Sequence, residues 1–449
     1  MERGSDTVES SPAVGLPVTD PERSGGGSGT WLGFDMAVLA VALLHALVFA
    51  PVVLSALFRP RMIVPNLWLG HAAMISETFR DPLRPNQPHF GWHLASRVVN
   101  VVLPGSDPRV AAAVVSIVAA AGLGAALYWI LRHSDDGSVL LSRWAAAGVS
   151  VAVALMESPA AIQGWEALLT PRTRFVPLYY SFVPTTPAVL GLSVALVWMS
   201  AQFVRGRLRA RRRLLLPLLV VATAIVKPSL VPALAVVVPV CVVLVRRTRL
   251  GLVGERHGSV ADAIRLVTVP AVLVLAFQLS VAVWLSPADR AGGFELRPFW
   301  ELGEMGGFGW QFWLVLMFPV VALILLRRRL LDDVAVLLGL GLFSVGLVAT
   351  LLFARSGLTI YKGANGGDIL QLAAAGSTVL LIYAIRRVIV LVRDRSLSRA
   401  TIVVLALALV PYLAAGVSTY RCQSGLVACY PAELAPPWPQ TPLSGSVGG

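Results

Sequence analysis

The sequence has 449 residues, of which 56% are hydrophobic and only 14% are charged, whereas soluble proteins usually carry about a quarter charged residues. This deficit, together with repeated apolar runs of about 20 residues, excludes an ordinary soluble protein and indicates a chain that lies in lipid. The net charge of +13 comes mainly from arginine clusters at the ends of the apolar runs, which is typical of membrane-protein loops rather than of a nucleic-acid surface.

The first segment, residues 1–30, is rich in Ser, Gly, Pro and acidic residues and contains the stretch Gly25-Gly26-Gly27-Ser28-Gly29. Such a composition cannot bury a core, so it predicts a disordered tail. No cleavage pattern follows the first long apolar run, so the segment does not resemble a signal peptide. Residues 31–418 form the predicted membrane domain, and residues 419–449 form a C-terminal tail.

The membrane domain contains about eleven apolar runs, which we read as spans. Helices are expected, because a lone strand would leave its backbone polar groups unsatisfied in hydrocarbon. The fold class is therefore an all-α polytopic membrane protein with a large first outer loop that carries juxtamembrane helices. The runs are 35–57, 109–132, 143–159, 185–204, 214–227, 229–246, 264–285, 310–326, 333–354, 369–392 and 400–418.

The orientation follows from the arginine clusters, because positively charged loops remain in the cytoplasm. With a cytoplasmic N-terminus, the clusters fall on one side at every crossing: Arg205 to Arg213, Arg246 to Arg249, Arg327 to Arg329 and Arg386 to Arg399. We therefore expect a multi-pass protein of the cell membrane whose C-terminus is extracytoplasmic. The loops predicted to face outward are 58–108, 160–184, 286–309, 355–368 and 419–449.

The segment Phe90 to Leu103 is apolar but carries His93, Arg97 and Asn100. As a helix it would reach only about 21 Å, which is short of a hydrocarbon layer about 30 Å thick. Counting it as a span would also invert every later loop against the arginine pattern. The sequence therefore predicts an amphipathic helix that lies on the outer surface of the membrane.

The stretch Lys227-Pro228-Ser229 interrupts a long apolar run. Proline breaks a helix and disfavours helix in the residue before it. The simplest interpretation is a tight outer hairpin between two spans. A single kinked span is the alternative, but it would reverse the later loops.

The first outer loop concentrates chemically competent side chains. It holds three of the six histidines of the chain, His71, His89 and His93, together with Glu77 and Asp81. The two carboxylates are four residues apart, so they share a face if the segment is helical. Carboxylates and imidazoles at a membrane surface suit general-base catalysis or binding of a divalent cation. The alternative is that these polar residues are simply solvated.

Two motifs carry a family resemblance. The stretch Pro88-His89-Phe90-Gly91-Trp92-His93-Leu94 is similar to the Pro-rich, aromatic segment that leads into a surface helix in the GT-C superfamily of membrane glycosyltransferases. Lys227-Pro228 looks like the Lys-Pro element of the polyprenyl-phosphate-mannose type of member. The likeness in topology covers most of the chain, while the motifs themselves are short.

The resemblance implies a glycosyltransferase that takes a hexose or pentose from a polyprenyl-phosphate donor on the outer face. The acceptor would be a glycan or glycolipid of the cell envelope. Family members use an acidic base early in the first outer loop, but Asn66 stands near that position here, and an amide cannot accept the proton as a carboxylate can. Glu77 or Asp81 would then be the base, with His71 as a third catalytic candidate.

The expected substrate-binding residues are the remaining imidazoles of the first outer loop and the cations predicted on the outer side: His89, His93, Lys227, Arg172, Arg174 and Lys362. No metal ligand set is predicted and no cofactor is implied with certainty, although the site residues are compatible with a divalent cation. Motifs for binding soluble nucleotides are absent from the sequence.

Two other functions remain open at this stage. One is a transporter or flippase of lipid-linked sugars, against which stands the rarity of ionisable residues well inside a span, His45 being the exception. The other is a non-catalytic envelope-assembly protein of the same architecture, for which Asn66 is the best argument.

Overall fold

The apolar runs fold as helices in the computed structural model. It describes residues 36–58, 72, 75, 91–103, 107–134, 138–156, 186–208, 210–227, 230–248, 258–285, 294–296, 298, 310–355 and 367–424. The first helices are α1 Met36–Phe58, α2 Gly91–Val102, α3 Pro108–Arg132, α4 Arg143–Leu155, α5 Thr186–Val204, α6 Ala210–Arg213, α7 Leu215–Val226 and α8 Val231–Thr248. The later ones are α9 Val260–Ala263, which continues through the π-helical turn Ile264–Thr268 into α10 Val269–Leu285, then α11 Trp310–Leu326, α12 Arg328–Leu331, α13 Val334–Leu352, α14 Gly367–Arg393 and α15 Arg399–Gln423.

Seven stretches within the described residues are long and apolar enough to cross a membrane: Met36–Phe58, Pro108–Arg132, Val231–Thr248, Val260–Ser280, Val334–Leu352, Ala375–Arg393 and Arg399–Arg421. The chain is therefore a helical multi-pass membrane protein, as its composition predicts. Each of the other predicted runs also contains a helix. The apolar helices in these runs have only 10–17 residues and are Arg143–Leu155, Ala188–Val204, Leu215–Val226 and Leu316–Leu326. The number of eleven crossings therefore stays a prediction.

Helices α13 and α14 pack backbone against backbone through glycines. A Cβ built on Gly346 would lie 2.5 Å from the backbone nitrogen of Ala373, and one on Gly376 would lie 2.6 Å from that of Phe343. Close approach through small residues is a common way for helices to associate in lipid, where the hydrophobic effect between helices is weak. These two helices form a tightly packed pair in the described part of the protein.

A buried ion-pair cluster holds together one end of the bundle. Asp333 caps the N-terminus of α13, and its two carboxylate oxygens lie 3.5 Å from Arg205 Nη2 and 3.6 Å from Arg386 Nη1. The guanidinium of Arg386 also donates from Nε to the carbonyl of Ile130 (2.9 Å) and from Nη2 to that of His133 (3.2 Å). The ends of α3, α5 and α14 therefore meet the start of α13. We call this end of the bundle the arginine end.

The start of α3 lies at the opposite end of the bundle, because its last turn is bonded to Arg386 and the helix has 25 residues, or about 37 Å. Asp107 caps this start by accepting a hydrogen bond from the backbone N–H of Arg109 (2.8 Å), and its carboxylate pairs with the Arg109 side chain. The Arg109 guanidinium lies 5.5 Å from the centre of the Phe58 ring. The end of α1 therefore meets the start of α3.

Two short strands, which the sequence did not predict, also pair. Strand β1, Phe294–Leu296, and strand β2, Phe353–Arg355, are antiparallel, with Glu295 opposite Ala354. Since β2 follows α13 directly, the pair ties the loop after α10 to the far end of α13.

Of three further predicted features, one boundary differs, one break is present and one segment falls outside the described residues. Helix α15 continues to Gln423, into the segment predicted as a tail from residue 419. The break at Lys227 is present, because α7 ends at Val226 and α8 begins at Val231. The predicted N-terminal tail, 1–30, lies outside the described residues.

Candidate functional site

Helix α2 turns its polar face towards the protein. Trp92, His93 and Ser96 are buried, with 1%, 0% and 0% of their surface exposed, whereas Val98 and Val102 are 54% and 71% exposed. A helix on the surface of a soluble protein shows the reverse arrangement, with its apolar stripe towards the core. The prediction of an amphipathic helix over this segment agrees with the structure. This orientation fits a membrane helix whose exposed apolar face contacts lipid and whose buried face contacts polar groups of the protein.

Helix α2 is held in this orientation by Trp92. The indole Nε1–H donates a hydrogen bond to Ser116 Oγ of α3 at 3.3 Å. The ring packs in an apolar cluster with residues of α1 and α3 and with two residues between α1 and α2: Val53, Ala56, Leu57, Ala112, Ala113, Ala72 and Ile75. The His93 ring meets the Trp92 ring edge-on, with centroids 5.2 Å apart. The position of His93 is therefore set by a packed aromatic anchor.

The start of α2 contacts the end of α7 at Gly91. A Cβ at this position would lie 2.9 Å from Ile225 Cγ2 and 3.1 Å from the backbone nitrogen of Val226. Only glycine allows this approach, because any larger residue would have to displace the α7 backbone. His93 follows Gly91 by two residues, and Lys227 directly follows Val226. The contact therefore brings two of the predicted site residues to one helix junction.

Lys227 ends α7 in an extended conformation. Its backbone N–H donates to the Thr223 carbonyl at 2.8 Å, and its surface is only 5% exposed. An ammonium group that is buried to this degree is stable only beside polar or negative groups. The end of α7 is therefore a polar environment and not merely a loop at the membrane surface.

Gln278 of α10 adds an amide that the sequence analysis missed. Its Nε2 donates to the Ala224 carbonyl of α7 at 2.6 Å, and the residue is 4% exposed. Its Oε1 is buried without a hydrogen-bond partner in the described part of the chain. The signal that could have found it is a single amide inside the apolar run 264–285, since a polar group in a span is costly unless it serves a purpose.

Like Gln278 Oε1, two side-chain oxygens on α2 are buried without a hydrogen-bond partner in the described part of the chain. These are Ser96 Oγ and Asn100 Oδ1. They follow His93 by three and seven positions, so all three residues lie on one face of the helix. We call His93, Ser96, Asn100, Lys227 and Gln278 the α2–α7 cluster. Buried polar groups are almost always paired, so these oxygens are candidates to receive hydrogen bonds from a bound molecule.

Seven of the predicted site residues lie outside the described residues: His71, Glu77, Asp81, His89, Arg172, Arg174 and Lys362. Two of their neighbours in sequence are described. Ala72 directly follows His71, and Ile75 precedes Glu77 by two positions; both are buried against Trp92. Among the predicted residues, His93 and Lys227 are thus the two that the described structure brings together.

The α2–α7 cluster combines one cation, one imidazole and several hydrogen-bonding oxygens. Helices α2, α7 and α10 contain no carboxylate. These side-chain types suit binding of an anionic, hydroxyl-rich molecule, but a carboxylate base would have to come from another part of the chain. A scan against protein-family models finds no match to this sequence, and a search of curated proteins finds no significant match.

Proposed function

We propose that the protein is a membrane glycosyltransferase of GT-C type that transfers a sugar from a polyprenyl-phosphate donor to a cell-envelope glycan or glycolipid. The observation that carries this proposal is the contact between Gly91 of α2 and the end of α7, which lies close in sequence to His93 and to buried Lys227, on a helix whose Val98 and Val102 are exposed. A lipid-linked donor needs such an arrangement, because its phosphate must enter a polar site while its prenyl chain stays in hydrocarbon.

Each part of the cluster then has a role. The Lys227 ammonium binds the donor phosphate and stabilises the negative charge that develops as the phosphate departs. Ser96, Asn100 and Gln278 accept hydrogen bonds from sugar hydroxyls, and His93 orients the phosphate or the sugar. The exposed valines of α2 lie along the prenyl chain.

The reaction itself is a displacement at the anomeric carbon. The acceptor hydroxyl oxygen forms a bond to that carbon, the bond from the carbon to the phosphate oxygen breaks, and polyprenyl phosphate leaves with the electron pair. Positive charge accumulates on the sugar in the transition state. The proton of the acceptor hydroxyl passes to a carboxylate, for which we propose Glu77 or Asp81 in place of the amide Asn66.

The orientation in the membrane follows from the two ends of the bundle. We place the arginine end in the cytoplasm, because arginine-rich loops remain there. The α2–α7 cluster then faces outward, and the donor, the acceptor and the bilayer are the partners. The N-terminus lies in the cytoplasm and the C-terminus outside.

The proposal is tested by transfer of labelled sugar from polyprenyl-phosphate donors in membranes that contain the protein, comparing wild type with Glu77→Gln and Asp81→Asn. We expect one of these variants to lose transfer at unchanged protein level. Asp107→Asn is the matched control, because it removes a carboxylate from the same loop but keeps a good helix cap. Absence of transfer by wild type across a panel of donors and acceptors would favour the non-catalytic alternative.

A second candidate function rests on His45. This residue of α1 is fully buried, its Nε2 lies 3.2 Å from Ser150 Oγ, and its Nδ1 has no hydrogen-bond partner in the described chain. An ionisable group inside a span often marks a transport path. If the protein moves lipid-linked sugars, His45→Gln should abolish movement of a labelled lipid across the bilayer. A glycosyltransferase should keep its transfer activity in this variant.

A further inference from the structure

A polar cavity lies at the arginine end, away from the α2–α7 cluster. It has a volume of about 640 Å³ and is lined by the last turn of α11, the turn into α12, the turn between α14 and α15, and the first turn of α15. Arg327 and Arg329 supply its charge, and no carboxylate is among its lining residues. The cavity is therefore suited to an anion.

Three hydroxyl side chains line the same space, of which the Ser396 hydroxyl donates to the Leu391 carbonyl and those of Ser398 and Thr401 bond each other. Ser396, Ser398 and Thr401 line it, and Ser398 caps α15 by accepting a hydrogen bond from the Thr401 N–H at 3.1 Å. The N-terminus of this helix, which has 25 residues, adds a positive dipole end. Arg329 donates from Nη1 to the Ser396 carbonyl at 2.6 Å, which uses one of the five N–H donors of its guanidinium. This bond fixes the guanidinium at the edge of the cavity.

The wall towards the membrane core is apolar. Ile324 and Leu325, which line the cavity, are 64% and 42% exposed. They lie in the last turn of α11, and Arg327 directly follows the end of this helix, so the arginines lie beyond the last apolar turn, at the depth where lipid phosphates are found. A free phosphate ion would gain nothing from this wall, whereas a lipid would place its acyl chains against it.

The backbone on both sides of the cavity is strained. Arg327 has φ 46° and Arg395 has φ 51°, and these are the two non-glycine residues with positive φ in the described chain. Arg327 lines the cavity, and Arg395 directly precedes Ser396. A positive φ is unfavourable for a residue with a side chain and persists only where the surroundings impose it.

We propose that this cavity binds the phosphate group of an anionic phospholipid in the cytoplasmic leaflet. Arg327 and Arg329 contact the phosphate oxygens, one hydroxyl of the bonded Ser398–Thr401 pair donates to them, and Ile324 and Leu325 contact the acyl chains. The site is separate from the proposed reaction, so it does not depend on the protein being a glycosyltransferase.

The test measures the thermal stability of the purified full-length protein in detergent while phosphatidylglycerol, phosphatidylcholine or inorganic phosphate is added. We expect phosphatidylglycerol alone to raise the melting temperature. Each arginine near an anionic lipid contributes about a factor of five in affinity. In Arg327→Gln/Arg329→Gln, half-maximal stabilisation should therefore need roughly 25-fold more phosphatidylglycerol.

Arg328→Gln is the matched control, because Arg328 is exposed in the same turn but does not line the cavity. This variant should respond as wild type does. Each variant is compared with its own melting temperature in phosphatidylcholine, so a general loss of stability does not affect the result. The proposal is overturned if Arg328→Gln loses the response equally, if inorganic phosphate gives the same stabilisation, or if phosphatidylglycerol has no effect on wild type.

Discussion

Gly91 lies against Ile225 so closely that a Cβ at Gly91 would meet Ile225 Cγ2 at 2.9 Å. This contact joins helix α2 to the end of α7, two residues before His93 and next to Lys227 in the chain. The functional proposal depends on this junction, because a phosphate-binding cation is useful only if the groups that hold the sugar are aligned with it.

Gly91→Ala should therefore separate α2 from α7. Overpacking of a close contact costs about 1–3 kcal/mol of stability, and a displaced site should reduce transfer at least about tenfold. Gly122→Ala on α3 is the control, because a Cβ there meets nothing within 4 Å. We expect Gly122→Ala to leave transfer unchanged and thermal stability equal or slightly higher. Equal transfer by both variants would show that the α2–α7 contact does not position the site.

Gln278→Leu removes the hydrogen bond to the Ala224 carbonyl and the buried Oε1. We expect a loss of about 1 kcal/mol in stability and a fall of about fivefold in kcat/KM for the sugar donor. Ser280→Ala on the same helix is the control, since Ser280 is exposed and bonded to the Ala276 carbonyl. If Gln278→Leu lowers the melting temperature without changing kcat/KM, Gln278 only supports the fold.

Asp333→Asn should weaken both ion pairs at the arginine end. Removing one partner of a buried cluster leaves Arg205 and Arg386 without a compensating charge, which typically costs about 3–5 kcal/mol. Asp332→Asn is the matched control, because Asp332 is exposed, and surface substitutions usually change stability by less than about 0.5 kcal/mol. Thermal unfolding in detergent distinguishes the two variants. Similar melting temperatures would contradict a structural role for the ion-pair cluster.

Asp107 gives a pH-dependent prediction. The hydrogen bond from the Arg109 side chain lowers the pKa of Asp107 below its ordinary value. A lowered pKa in the folded state stabilises the protein above the ordinary aspartate pKa of about 4, and this contribution is lost as the pH falls through the folded-state pKa. Wild type should therefore have a higher melting temperature than Asp107→Asn at neutral pH, and the two should converge as the pH falls through the folded-state pKa of Asp107. A difference in melting temperature that persists at low pH would exclude the ionised Asp107 carboxylate as its cause.

The helical fold was predictable because apolar runs of span length have few alternatives in lipid. The amphipathic helix α2 was also predictable from its composition, and so was the break after Val226. The contacts between residues that are far apart in the sequence were not predictable. Arg205 and Arg386 look like ordinary topology signals in the sequence, and only the fold shows that both contact Asp333. Gln278 was missed because one amide gives no periodic signal, and β1 and β2 because three-residue strands depend on their partner.

The most direct test of the central claim is sugar transfer by the purified protein in liposomes that contain a labelled polyprenyl-phosphate donor, comparing wild type, Lys227→Arg and Lys227→Gln. If Lys227 binds the donor phosphate, wild type transfers, Lys227→Arg keeps part of the activity, and Lys227→Gln loses most of it through a raised KM for the donor. Equal transfer by all three proteins, or loss of activity with unchanged KM, would contradict the proposed phosphate site at the end of α7.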